Sequence, residues 1–166
     1  MSKIAGIYWD DTAAAPGISL SVYFSGCPFH CPGCHNPEAW DFNYGEDLDW
    51  DKVGAIMTKL KKNGVMRTLC ILGGEPLCKE NIEDVKRLIG WCKLDYPDLK
   101  VYVWTGYTIE ELEARDDADV NCILHNITCL IDGRYIQELR DTTLPLRGSS
   151  NQRIIMMEDY YGKRDM

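Results

Sequence analysis

Four short apolar runs, each followed by glycine and separated by longer amphipathic stripes, set the first limit on what this chain can fold into. Ser19–Phe24 (SLSVYF) precedes Gly26, and Thr68–Leu72 (TLCIL) precedes Gly73-Gly74. Val101–Trp104 (VYVW) precedes Gly106, and Cys129–Ile131 (CLI) precedes Gly133. β-branched and aromatic residues in such runs predict strands, and the unbroken apolar character of TLCIL predicts one buried on both faces. Trp50, Val53, Ile56, Met57 and Leu60 recur at helical spacing, as do Ile82, Val85, Leu88, Ile89 and Cys92. Asp47, Asp49 and Asp51 stand where the first helix dipole favours anions, and Lys59, Lys61 and Lys62 where it favours cations. Thr108 with Glu111 predicts a capping box that opens a third helix. Strand–helix alternation of this kind predicts an α/β fold with a mostly parallel sheet and right-handed crossovers. The 166 residues fall short of the length of a closed eightfold barrel, which typically takes about 250.

Parallel α/β sheets bind ligands at the C-terminal edge of their strands, where glycine lets backbone approach a ligand closely. All four strand-ending glycines fall at that edge, and so does a loop rich in Gly, Pro and Cys from Ser25 to Asn43. This loop carries Cys27-Pro28-Phe29-His30-Cys31-Pro32-Gly33-Cys34, a C-x3-C-x2-C spacing. The chain has eight cysteines, and Met1–Gly6 lacks the basic-then-apolar run of a secretion signal. In a reducing compartment clustered thiols bind metal or do chemistry rather than pair. Thiolates suit zinc or iron–sulfur clusters. A structural zinc site is closed by four ligands, commonly in two pairs. A cubane cluster normally takes four thiolates, so three leave one iron open to a substrate. Spacing alone leaves a catalytic cluster and a structural metal both open. His30 and His35 read as polar loop groups rather than ligands, and Cys78 is a further candidate for a fourth ligand. Cys70, Cys92 and Cys129 fall on core faces and read as small hydrophobes.

The net charge of −8 argues against non-specific binding to nucleic acid, which needs a basic footprint. No run approaches the roughly 18 consecutive apolar residues of a membrane span. These features predict a soluble, cytoplasmic protein with neither a nucleic-acid nor a membrane partner. Without repeats or linkers, residues 1–166 read as one domain with its core at about 16–155 and a charged, frayed tail over 156–166.

The C-x3-C-x2-C loop after one strand, followed by Gly73-Gly74-Glu75-Pro76 after the next, resembles the radical S-adenosylmethionine superfamily. Further segments narrow the resemblance: Ser25-Gly26-Cys27, Cys31-Pro32-Gly33-Cys34-His35-Asn36, Val103-Trp104-Thr105-Gly106-Tyr107, Leu130-Ile131-Asp132-Gly133-Arg134-Tyr135 and Arg147-Gly148-Ser149-Ser150-Asn151-Gln152-Arg153. Together they are similar to the activating proteins of anaerobic ribonucleoside-triphosphate reductase. Gly33 stands where the superfamily usually has an aromatic residue, and His35 follows the third cysteine.

The resemblance implies a partial, incomplete parallel β/α barrel of the radical S-adenosylmethionine type. It implies that Cys27, Cys31 and Cys34 hold a [4Fe–4S] cluster with one open iron. It places S-adenosylmethionine near Gly33, Cys34, His35, Gly73, Gly74, Glu75, Thr105 and Gly106, with Glu75 meeting its amine. Catalysis would rest on no side chains beyond the cluster ligands. Phe29 and Trp40 are expected to shield the cluster, and Arg147–Arg153 to contact ligand or partner. The implied activity is reductive cleavage of S-adenosylmethionine to a 5′-deoxyadenosyl radical, which makes a glycyl radical on the reductase. A low-potential donor such as flavodoxin would supply the electron. The rivals are another small radical enzyme of this superfamily (a different glycyl-radical activase or a deazapurine synthase), a structural zinc or iron–sulfur module, and an electron-transfer protein.

Overall fold

The computed structural model describes residues 1–164. Seven strands form one open sheet: β1 (Lys3–Asp11), β2 (Ser19–Phe24), β3 (Glu46–Asp47), β4 (Thr68–Gly73), β5 (Val101–Trp104), β6 (Cys129–Asp132) and β7 (Arg153–Met156). Their spatial order is β3-β1-β2-β4-β5-β6-β7. The four strands expected from the apolar runs, β2, β4, β5 and β6, are its parallel centre. The margins depart from a parallel barrel. β1 runs antiparallel to β2 and β3, and β7 antiparallel to β6, so the sheet is mixed and does not close.

Five α-helices accompany the strands: α1 (Trp50–Leu60), α2 (Ile82–Asp95), α3 (Ile109–Ala114), α4 (Ala118–Leu124) and α5 (Met157–Arg164). Asp49 caps α1, its side chain accepting from the Lys52 N–H at 2.9 Å. Thr108 and Glu111 form the expected capping box at α3. Period-two alternation divides the sheet into two faces. Leu20, Val22, Leu69, Ile71, Val101 and Val103 share one core with Val53 and Ile56 of α1, Val85 and Leu88 of α2, and Val120 and Ile123 of α4. Trp50 lies on the same predicted stripe but is 64% exposed and meets Trp91 edge to face at 5.4 Å.

The opposite face is the one that matters for function. Alternation places Tyr23, Leu72, Trp104 and Ile131 there, at the C-terminal ends of the parallel strands. Residues 157–164, within the expected frayed tail, form α5, with Met157 at 2% exposure. Burying one methionine stabilises by about 1.5–3 kcal/mol, a small part of the roughly 8–16 kcal/mol that ordering eight backbone residues costs. The last part of that expected tail, residues 165–166, lies outside the described residues. The core also begins before residue 16, since Ile4 on β1 is buried within it. No helix among the described residues is long and apolar enough to cross a membrane.

Candidate functional site

A cavity of about 260 Å³ opens on this face at the strands' C-terminal ends. Tyr23, Leu72, Trp104 and Ile131 line it from the sheet, and Cys27, Cys31 and Cys34 line it from the loop after β2. The loop is shaped by backbone. Gly26 has φ +95, and a Cβ there would lie 2.0 Å from the Phe42 ring. The Gly26 N–H donates to the Ala39 carbonyl at 2.7 Å and the Cys27 N–H to Trp40 at 3.2 Å, which folds the loop back on itself.

Cys27 is 8% exposed, and Cys31 and Cys34 are half-buried. Burial pushes the Cys27 thiol up, while the N–H groups of Phe29 and His30 pull it back. Burial likewise pushes Cys31 up, against the Tyr135 N–H and the Arg134 charge. Backbone donors aimed at sulfur stabilise the thiolate, the form that ligates metal. Among the described residues no three His, Cys, Asp or Glu side chains are gathered to hold a single metal ion. The three thiols are instead distributed along the wall of one cavity, a donor set that suits the larger body of an iron–sulfur cluster. Phe29 and Trp40 line the same cavity.

The turn after β4 forms the next wall. Gly73 has φ +115, and a Cβ there would meet the Phe24 backbone at 2.5 Å. A Cβ on Gly74 would meet the Gly26 carbonyl at 2.5 Å, so only glycine lets this turn lie against the cysteine loop. Glu75 follows, 1% exposed. Its Oε1 accepts from the Gly106 N–H at 2.6 Å, and its Oε2 from the Leu77 N–H and the Thr105 hydroxyl, both at 2.8 Å. Burial pushes the Glu75 carboxyl up to about 7, against those three donors and the Arg115 charge. The carboxylate therefore ties β4 to β5, and lone-pair capacity remains on Oε1 for a ligand in the cavity. Gly106 packs under Phe29, whose ring carbons lie 2.6 and 2.7 Å from where a Cβ would stand.

The connection from β6 to β7 forms the far wall through Gly133, Tyr135, Leu146, Gly148 and Gln152. Its donor-rich segment is largely occupied internally. Gln152 accepts from the N–H groups of Gly148 and Ser149 and donates to the Gly133 carbonyl. Asn151 donates to the Arg134 carbonyl at 2.7 Å. Arg153 chelates Asp132 and Glu110, and Trp104 Nε1 donates to the Leu146 carbonyl at 2.8 Å. The segment shapes the cavity, with Gly148 and Gln152 at its surface.

Of the residues singled out from sequence, Cys27, Cys31, Cys34, His35, Gly73, Gly74, Glu75, Thr105 and Gly106 line this one cavity. Gly33 does not. Its φ is +79, and the Gln137 side chain packs where its Cβ would be. Cys78 is buried and also outside the lining, so it is not a fourth thiol there. Cys70, Cys92 and Cys129 are fully buried as expected, and Cys122 is exposed. Tyr23 was not singled out from sequence, and Tyr135 and Gln152 entered only as members of longer segments. Strand alternation would have found Tyr23, whereas the other two depend on a long connection folding back.

A family model described as a 4Fe-4S single cluster domain matches residues 13–155. The chain is 34% identical over 143 residues to the anaerobic ribonucleoside-triphosphate reductase-activating protein of Escherichia coli (strain K12), spanning 86% of this chain and 90% of that protein. It is 36% identical over 146 residues to the same-named protein of Haemophilus influenzae, at 87% and 92% of the two chains. It is 30% identical over 159 residues to that of Enterobacteria phage T4, at 96% and 97%. With one family model over most of its length and these relatives, the chain belongs to the family of anaerobic ribonucleoside-triphosphate reductase-activating proteins.

Proposed function

We propose that this chain is a radical S-adenosylmethionine activase that generates a glycyl radical on the glycyl-radical subunit of anaerobic ribonucleoside-triphosphate reductase. One observation carries the reading: three thiols, a buried carboxylate on a Gly-Gly turn, and Thr105-Gly106 line a single cavity at the strands' C-terminal edge. We read the open sheet as a partial barrel and residues 1–166 as one cytoplasmic domain.

In this reading Cys27, Cys31 and Cys34 hold a [4Fe–4S] cluster. So held, a cluster would supply one electron, received from a low-potential donor such as flavodoxin, for the reductive cleavage of S-adenosylmethionine to methionine and a 5′-deoxyadenosyl radical that would take a hydrogen atom from a glycine Cα of the reductase. The chain's residues bind, orient and exclude water. Glu75 turns its spare Oε1 capacity toward the methionyl amine, and Gly73-Gly74 present backbone to it. Thr105 and Gly106 border the nucleoside, and Cys34 and His35 line the same cavity. Gly33 acts one step removed, letting Gln137 close over the cysteine loop. Phe29 and Trp40 keep water from the thiolates, and dry surroundings favour a low potential. A closed zinc module would need a fourth ligand, and Cys78 lies outside the cavity.

The test is to mix the reconstituted, reduced chain with S-adenosylmethionine and the reductase under argon. A glycyl-radical signal in electron paramagnetic resonance on the reductase, absent with Cys31→Ala, is expected. No signal from a chain that carries a full cluster would reject the activase reading.

A further inference from the structure

Arg134 follows Gly133 directly after β6, and the cofactor assignments above give it no part. Its guanidinium lies over the Phe29 ring, 4.3 Å from the centroid. Phe29 stands midway between Cys27 and Cys31, and its other neighbours are Gly106 and the Tyr107 ring, edge to face at 4.7 Å. Arg134 is thus the outer jaw of a clamp on the middle of the cysteine loop, a cation–π contact of the kind Arg makes well.

The guanidinium is itself oriented. Nη1 and Nη2 donate to Oε1 and Oε2 of Glu111 at 2.9 and 3.1 Å, a two-pronged pair. Glu111 is fixed in turn by the Thr108 capping box of α3. The ring of the next residue, Tyr135, meets His35 at 5.5 Å. A cation fixed over Phe29 of the cysteine loop and paired with the Glu111 carboxylate makes an oriented charge pair against that loop.

We propose that Arg134 is a positioning residue for the cluster: it clamps Phe29 over the cysteine loop, and its charge, balanced by Glu111, sets how readily the cluster accepts an electron. The inference rests on the proposed function, in that the three cysteines must hold a redox cluster. Reduction adds negative charge, so a nearby cation favours the reduced form and a nearby anion opposes it. Both side chains are about 40% exposed, at 43% and 40%, so the effect is largest at low salt.

The test is a potentiometric titration of the reconstituted chain at low ionic strength, with the reduced cluster read by electron paramagnetic resonance. Arg134→Gln removes the cation and lowers the midpoint potential. Glu111→Gln removes the anion, keeps a residue suited to the capping box, and raises it. Arg134→Lys keeps the charge and stays near wild type, which preserves the test should Arg134→Gln fold poorly. Both glutamine variants break the same ion pair, so opposite signs cannot come from structural loosening alone. Shifts of the same sign, or none, with an intact cluster would overturn the inference. A wild-type chain that takes up no cluster would overturn the proposed function, and the inference with it.

Discussion

Replacing Glu75 by glutamine measures what it costs the fold to keep a carboxylate in the cavity. The side chain is 1% exposed, and burial raises its carboxyl from 4.5 to about 7 despite three hydrogen-bond donors. The folded chain therefore binds this proton more tightly than the unfolded chain does. The stabilisation linked to that proton is fully present below the unfolded value and is lost as pH rises through the folded one. The gap between the two values corresponds to about 3 kcal/mol, of which about 2 falls between about pH 5.5 and about pH 8.5. Glutamine keeps the shape and cannot ionise. All other titrating groups are common to both chains, so the difference between their stability curves isolates Glu75. Urea unfolding of the iron-free chain under argon, followed by tryptophan fluorescence across that range, reads it directly. The wild-type chain should lose about 2 kcal/mol relative to Glu75→Gln as pH rises. Parallel curves, or a wild type that gains on the variant, would refute the argument that burial outweighs the three donors.

Gly106→Ala should place a methyl 2.6 Å from the Phe29 ring. Overpacking of that kind costs about 1–3 kcal/mol, and iron retained after gel filtration should fall as the cysteine loop is displaced. Gln152→Ala removes the bonds that fold the β6–β7 connection against the cavity; equilibrium binding of S-adenosylmethionine should weaken by about tenfold, equal to one lost net hydrogen bond. Cys78→Ala should leave iron and sulfide per chain unchanged at a stability cost of about 1 kcal/mol, whereas Cys31→Ala should lose the cluster.

The parallel centre of the fold was legible because β2, β4 and β6 bury residues of both faces, which leaves a nearly continuous signal, and β5 is a short β-branched and aromatic run before a glycine. The margins were not. Lys3–Asp11 carries a glycine, an alanine and two aspartates, and its pairing comes from backbone bonds to β2 that leave little pattern in the side chains. Trp50 shows the limit of periodicity: spacing puts it on the helix stripe, but it lies at the end of α1, where it meets Trp91 rather than the core. The candidate site divides in the same way. The thiols, the Gly-Gly-Glu turn and Thr105-Gly106 each directly follow a strand, so local order places them at one edge. Tyr135 and Gln152 reach the cavity only because a twenty-residue connection, Gly133–Gln152, returns across it, held by side-chain bonds that no spacing encodes. The donors of Arg147–Arg153 illustrate the point, since bonds within the connection and to Asp132 and Glu110 absorb most of what composition suggested was free for a ligand.

The central claim is that Cys27, Cys31 and Cys34 hold a cluster able to cleave S-adenosylmethionine in the cavity they line with Glu75. The most direct measurement is 5′-deoxyadenosine by chromatography, after anaerobic reconstitution with iron and sulfide, reduction, and addition of S-adenosylmethionine. The account predicts the nucleoside from the wild-type chain and none from Cys31→Ala. A colourless, zinc-loaded chain that leaves S-adenosylmethionine intact would contradict it.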